Sequence, residues 1–247
     1  MTLEARDLSL DARLPGVSAT LRPGTITAIC GPNGAGKSTL LDLLAGLAKP
    51  TGGAALLDDC DLAGLHPGER ARAIGYLPQG GEVAWDVSVA SLVALGRLPH
   101  GGGGEAAMGR ALAALDLADF AARPVSTLSG GERARALLGR VLAGEPRWIL
   151  ADEPLAALDL AHQLTLLRHL REEAARGTGV AIVLHDLALA MNHADRVLVL
   201  DRGALAANDT PETALSPAII RTVWKVPARW LGEPGARALV VNGGAPA

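Results

Sequence analysis

Residues 31–39 read Gly-Pro-Asn-Gly-Ala-Gly-Lys-Ser-Thr and follow an apolar run, Thr25 to Cys30, with the character of a buried strand. A helical stretch, Leu40 to Leu47, comes directly after. Strand, glycine-rich turn and helix form the context in which G-x-x-x-x-G-K-[ST] cradles a polyphosphate. Gly31, Gly34 and Gly36, spaced by Pro32, Asn33 and Ala35, let the backbone wrap closely and turn its N–H groups inward as an anion nest. The following helix points its positive end at the same phosphates. In such a loop Lys37 reaches the β- and γ-phosphates, Ser38 closes the pattern and is placed to ligate Mg²⁺, and Thr39 follows beside the phosphates. The chain has only three lysines, at 37, 49 and 225, so a stray lysine in a flexible turn is a poor account of Lys37.

Two further constellations bear on a bound phosphate. Trp148-Ile-Leu-Ala-Asp-Glu-Pro154 is a hydrophobic strand that ends in two acids. Beside a phosphate loop, Asp152 suits the Mg²⁺ shell and Glu153 is placed to polarise a water for in-line attack. Seen alone, the same pair is a cap and a first-turn acid at a helix start. Leu128-Ser-Gly-Gly-Glu132 opens a second helix. Ser129, Gly130 and Gly131 read either as an ordinary N-cap or as another anion site. Two phosphate sites so far apart in one chain make sense if the second closes on a nucleotide held by another subunit.

These residues need a scaffold. Leu3 to Leu10 alternates apolar and polar residues like a half-exposed strand, and Ala54–Leu57 and Ala73–Leu77 read as further short strands. From Ser88 to about Phe120 the period is helical, broken by the flexible His100-Gly-Gly-Gly-Gly. A helix over 131–143 follows. Then strand 148–151, helix 161–176, strand 180–184, helix 187–193 and strand 196–200 alternate, which predicts a largely parallel sheet wrapped by helices. The tail beyond Gly203 reads as a short strand and small helices.

Composition narrows the class. A chain of 247 residues can bury a substantial core, and its net charge of −3, with arginines scattered along it, gives no electrostatic footprint for nucleic acid. Cys30 and Cys60 lack metal-ligand spacing, and Cys30 reads as a small apolar strand residue. The N-terminus has no signal-peptide core. Mean hydropathy is positive at +0.25, but it comes from dispersed Ala and Leu, with no apolar run near membrane-spanning length.

Six motifs in order now carry a resemblance: the loop 31–39, Tyr76-Leu-Pro-Gln79, Leu128–Glu132, Asp152-Glu153, Ala157-Leu-Asp159 and Leu184-His-Asp186. Over roughly 1–220 the chain resembles the ATP-binding subunit of an ATP-binding-cassette (ABC) transporter. The resemblance implies one α/β domain: a P-loop NTPase (RecA-like) core, an N-terminal antiparallel β-subdomain, a helical subdomain inserted at about 80–140, and a C-terminal extension from about 204. It implies that Gln79 touches Mg²⁺ or the lytic water, that Asp159 crosses a dimer interface, and that His185 bonds the γ-phosphate and steadies the water of Glu153. Two subunits would sandwich two Mg-ATP head to tail, each between one phosphate loop and the other's Ser129–Gly131. Closure and reopening would drive permease subunits at the cytoplasmic face of the inner membrane, fed by a substrate-binding protein. Such subunits usually stack an aromatic on adenine. The segment Ser9 to Gly16 has none, and Arg13 is the residue there whose planar guanidinium can replace it, although an unremarkable surface arginine would fit too.

Val93-Ala-Leu-Gly-Arg-Leu-Pro-His100, Leu158-Asp-Leu-Ala-His-Gln163 and 188–196 resemble the branch that powers uptake of iron–siderophore complexes, haem and vitamin B12. The region from Gln79 to Arg97, with Trp85, is where a permease helix would dock. A molybdate or zinc importer, or an exporter, is the alternative within transporters. A soluble cassette acting on nucleic acid would need a long coiled-coil insertion or a second cassette, and a non-hydrolysing regulator would lack Glu153 or His185.

Overall fold

A computed structural model describes residues 2–80, 86–156 and 158–241. Trp85 and Ala157 lie outside the described residues. Strands β1 (Leu3–Leu10), β2 (Leu14–Leu21), β3 (Ile26–Cys30), β4 (Gly52–Leu57), β5 (Cys60–Asp61), β6 (Ile74–Leu77), β7 (Trp148–Ala151), β8 (Gly179–Val183), β9 (Arg196–Asp201), β10 (Ala204–Asp209), β11 (Ala228–Leu231) and β12 (Ala238–Val241) form three sheets. Helices are α1 (Lys37–Leu44), α2 (Pro67–Ala73), α3 (Val89–Ala94), α4 (Glu105–Ala114), α5 (Gly130–Ala143), α6 (Leu160–Ala175), α7 (Leu187–His193), α8 (Pro211–Ala214) and α9 (Pro217–Trp224).

The central sheet has the order β10-β9-β3-β8-β7-β6, parallel except for β10. Its strands β3, β7 and β8 are buried along their whole length, as a sheet covered on both faces requires. The phosphate-loop strand β3 lies between β9 and β8, and β7, which ends at Asp152-Glu153, is the next strand beyond β8. Both chemistry-bearing loops therefore leave the same sheet edge, the carboxyl ends of the strands. Asp195 anchors the entry to β3, its Oδ2 accepting the Ile26 backbone N–H and an Arg171 guanidinium N–H, each at 2.7 Å.

A second, antiparallel sheet, β2-β1-β4-β5, packs on the other side of α1. Leu40, Leu41, Leu43 and Leu44 of α1 are at most 1% exposed. Truncating any of them to Ala would cost about 2–5 kcal/mol. Trp148 is buried in the same core, and its ring occupies the space where a side chain at 179 would stand, with Cζ3 only 2.3 Å from a Cβ built there. Between β6 and β7 the described residues form helices, turns and one isolated bridge, and α3, α4 and α5 pack on one another through Val93, Ala111, Leu115 and Leu138.

Some elements depart from the sequence expectation. Helix α1 starts at Lys37 rather than Leu40 because Gly36, in left-handed backbone (φ 94°), is already its N-cap, and it stops where Gly46 (φ 66°) turns the chain. Strand β2 went unforeseen. Pro15-Gly16 interrupts an otherwise regular series of inward residues, Leu14, Val17, Ala19 and Leu21. Helix α2 has the unusual cap His66, reciprocated by Glu69 and followed by Pro67 at its first position. The tail also adds the β11–β12 hairpin, which Asn192 of α7 holds through two 2.8 Å bonds to the backbone of Arg237.

Candidate nucleotide site

Where β3 turns into α1, glycine is demanded by contact. A Cβ at Gly31 would stand 2.3 Å from the carbonyl oxygen of Leu200, and one at Gly36 would meet the Arg13 carbonyl at 3.1 Å in a backbone that disfavours side chains. Gly36 provides no side-chain cap, so the first-turn N–H groups of α1 remain available to an anion. The loop encloses one side of a cavity of about 990 Å³, lined by Ala12, Arg13, Asn33 to Thr39, Gln79, Glu153, His185 and Arg202. Its size suits a nucleoside triphosphate.

At the floor, Lys37 is 5% exposed, with Nζ donating to the carbonyls of Gly31 and Pro32 at 3.0 Å each. Burial pushes its pKa down, while Glu153, Cys30 and Asp152 pull the other way. Ser38 Oγ donates to Asp152 Oδ1 at 3.1 Å, so the two oxygens expected to flank a divalent cation already face each other. Burial raises the pKa of Asp152, opposed by the Ser38 hydrogen bond and reinforced by Glu153. A cation between Ser38 and Asp152 would relieve that penalty, which is how this pair fits Mg²⁺. Cys30, fully buried behind the loop, is pushed up to about 12 by burial, an inert thiol that serves as packing.

At the rim, Glu153 is held from two sides. Gln79 Nε2 donates to its Oε2 at 2.6 Å, and His185 Nε2 lies 2.5 Å from its Oε1. Glu153 adopts left-handed backbone (φ 46°), a strained state for a non-glycine residue and one that recurs at functional sites. Side chains from the ends of three parallel strands, β6, β7 and β8, thus meet at one carboxylate.

The remaining expected site residues lie elsewhere. Ser129, Gly130, Gly131 and Asp159 do not line this cavity. Ser129 caps α5 in a reciprocal box: its Oγ accepts the Glu132 N–H at 3.2 Å, and its own N–H donates to Glu132 Oε2 at 2.7 Å. Asp159 caps α6 by accepting the His162 N–H at 2.9 Å. Gly130 borders a separate cleft of about 350 Å³ with Gln79, Glu153 and Leu158.

Two cavity residues were missed, Ala12 and Arg202. Arg202 sits at the β9–β10 turn with φ 48°, beside Gly203, whose N–H donates to the Ala35 carbonyl of the phosphate loop at 3.0 Å. Only the Arg-Gly pair at a hairpin hinted at a turn, and nothing local pointed to the loop some 165 residues upstream.

A profile describing ABC transporters matches residues 14–156, more than half of the chain. The chain belongs to the ABC transporter family. The cassette is 42% identical to the hemin import ATP-binding protein HmuV of Rhodococcus jostii over 92% of this chain and 80% of that protein. It is 43% identical to the protein of the same name from Pseudomonas entomophila, covering 86% and 87% of the two chains. Among solved structures it superposes on a chain of a metal-chelate-type ABC transporter in an inward-facing conformation, with TM-score 0.83 and 26% identity over 98% and 96% of the chains. It also matches an ATP-bound bacterial Atm1-family exporter at TM-score 0.76 and 29% identity over 87% of this chain and 40% of that one. The cassette is thus an ATP-hydrolysing P-loop domain, similar in sequence to import ATP-binding proteins and in backbone to the cassette of an exporter. Among the described residues no helix is long and apolar enough to cross a membrane.

Proposed function

We propose that the cassette is the ATP-hydrolysing subunit of an importer of haem or a related iron chelate, working as a head-to-tail homodimer beneath its permease. The observation that carries the chemistry is the convergence of Gln79 and His185 on Glu153 at the mouth of the phosphate cavity. The loop N–H groups and Lys37 would hold the phosphates, and Ser38, Asp152 and Gln79 the Mg²⁺, which neutralises β/γ charge. One oxygen of Glu153 accepts from Gln79 and the other lies against His185 Nε2. A γ-phosphate entering the cavity draws the His185 N–H to itself and frees Oε1 to orient a water. The water oxygen attacks the γ-phosphorus, its proton passes to Glu153, and the β–γ bridging bond breaks with ADP leaving.

The same reading gives Arg13 the adenine, and gives Ser129–Gly131 and Asp159 the nucleotide of the second subunit. The permease would dock near Gln79 to Arg97, on the cytoplasmic face of the inner membrane, with a substrate-binding protein delivering cargo from the other side. The net charge of −3 gives nucleic acid no footing as a partner. The cargo class rests on the similarity to hemin import proteins, together with the metal-chelate-type structure. Disrupting the coding sequence in the source organism tests it. Growth on haem as sole iron source should be lost and restored by the intact gene. Unchanged growth on haem, with loss confined to another nutrient, would overturn the cargo.

A further inference from the structure

The starts of α5 and α6 meet at one side chain. His162, in the first turn of α6, lays its imidazole against Gly131: a Cβ built there would stand 1.9 Å from His162 Cδ2 and 2.4 Å from both Cγ and Nε2. The other edge of the ring is tied down, with Nδ1 bonded to Asp159 Oδ1 at 2.7 Å. An ionised carboxylate only accepts, so the ring donates from Nδ1. Asp159 is held below the usual carboxylate range, first by the His162 backbone N–H and then by the ring. The next residue secures the preceding loop: Gln163 Nε2 donates to the carbonyls of Leu155 and Leu158 at 3.2 Å each. A metal role for this histidine finds no support, since the described residues contain no cluster of three His, Cys, Asp or Glu able to hold an ion.

We propose that His162 is a positioning residue, a wedge that locks Asp159 and Gly131 in one mutual arrangement so that both reach the partner's nucleotide together. The proposal rests on the reading that Ser129–Gly131 and Asp159 serve the other subunit's ATP. It adds that glycine at 131 is required by the ring of its own chain, independently of any phosphate. The ring fills the space a methyl group would need, and Nδ1 sets where the ring can go. Neither residue lines the cavity around Lys37, so the subunit's own grip on ATP is separate from the wedge.

A double-mutant cycle in the full-length protein tests this, reading ATP turnover, ATP affinity of the unpaired subunit, and thermal unfolding. Gly131→Ala should lower turnover by about tenfold or more and His162→Ala by a few-fold, with monomer ATP affinity unchanged in both. The double variant should do no worse than His162→Ala alone, a non-additivity of about tenfold or more, within the scale for residues in contact. Losses that simply multiply would sink the proposal, as would full turnover in His162→Ala, which decides the matter even if Gly131→Ala does not fold. If Glu153→Gln in the otherwise native chain forms no ATP-dependent dimer, the cross-subunit reading itself fails and takes the proposal with it. Additivity alongside an intact dimer removes the wedge alone.

Discussion

Helices α1 and α5 both begin at glycine-rich turns, yet they treat their exposed N–H groups in opposite ways. The start of α1 is capped by Gly36, which has no side chain to offer, and its first-turn N–H groups face a cavity with Lys37 at the floor. The start of α5 is partly satisfied by its own chain, with the N–H groups of Ser129 and Glu132 bonded to each other's side chains. A glycine cap leaves a helix end open for an anion, whereas a serine–glutamate box satisfies two of its donors. The first is a complete half-site within one subunit. In the proposed dimer the second, which its own chain already caps, would receive a ligand from the other subunit.

The largest expected effect lies on the α1 side. Glu153→Gln keeps the hydrogen-bonding outline and removes the base, so turnover should fall about 10²- to 10⁴-fold while ATP binding persists. Phosphate release measures the first, and equilibrium binding with sizing in ATP measures the second and reveals a trapped dimer. Undiminished hydrolysis would show that the carboxylate held by Gln79 and His185 is not the base, and the contrast between an active and a waiting helix end would lose its chemical half.

The α5 side should respond in two separable ways. Ser129→Ala removes the cap and should cost about 1 kcal/mol of stability, read in thermal unfolding. Ser129→Arg adds a bulky cation where the partner's loop and Lys37 would approach, and turnover should fall by more than about tenfold through blocked closure. ATP affinity of the isolated subunit should stay the same in both, because Ser129 does not border the Lys37 cavity. Normal ATP-dependent dimerisation of Ser129→Arg would place the waiting surface outside the interface.

What could be read without coordinates follows the same division. The phosphate loop is local: nine residues carry its glycines, lysine and hydroxyl, and the strand and helix around it are signalled by adjacent apolar runs. Asp152 and Glu153 were legible because a buried strand ends on them. The clamp on Glu153 was visible only as an ordered set of motifs, since Gln79 and His185 stand far from it in the chain and come together through the β6-β7-β8 order. Arg202 and His162 left no comparable signal. Arg202 reaches the loop by a hairpin that folds back beside it, and His162 matters through the absence of a side chain at Gly131. Long-range contact made by a glycine is silent in a sequence, because glycine has many reasons to be present.

The smallest effect concerns the adenine end, where neither helix start decides anything. Arg13 and Arg202 both border the cavity, and the Arg13 carbonyl packs against Gly36 and Gly203. A guanidinium at an exposed rim stacks on a π face for about 0.5–1 kcal/mol, so Arg13→Ala should raise the Kd for ATP only about two- to fivefold. Its effect on tripolyphosphate, which has no base, separates stacking from charge. A planar stack predicts an unchanged tripolyphosphate Kd, whereas a purely electrostatic Arg13 predicts equal losses for both ligands, and isothermal titration resolves a difference of this size. If ATP affinity does not change at all, Arg13 is a bystander. The phosphate end would then carry the binding alone, and GTP should compete with ATP on nearly equal terms.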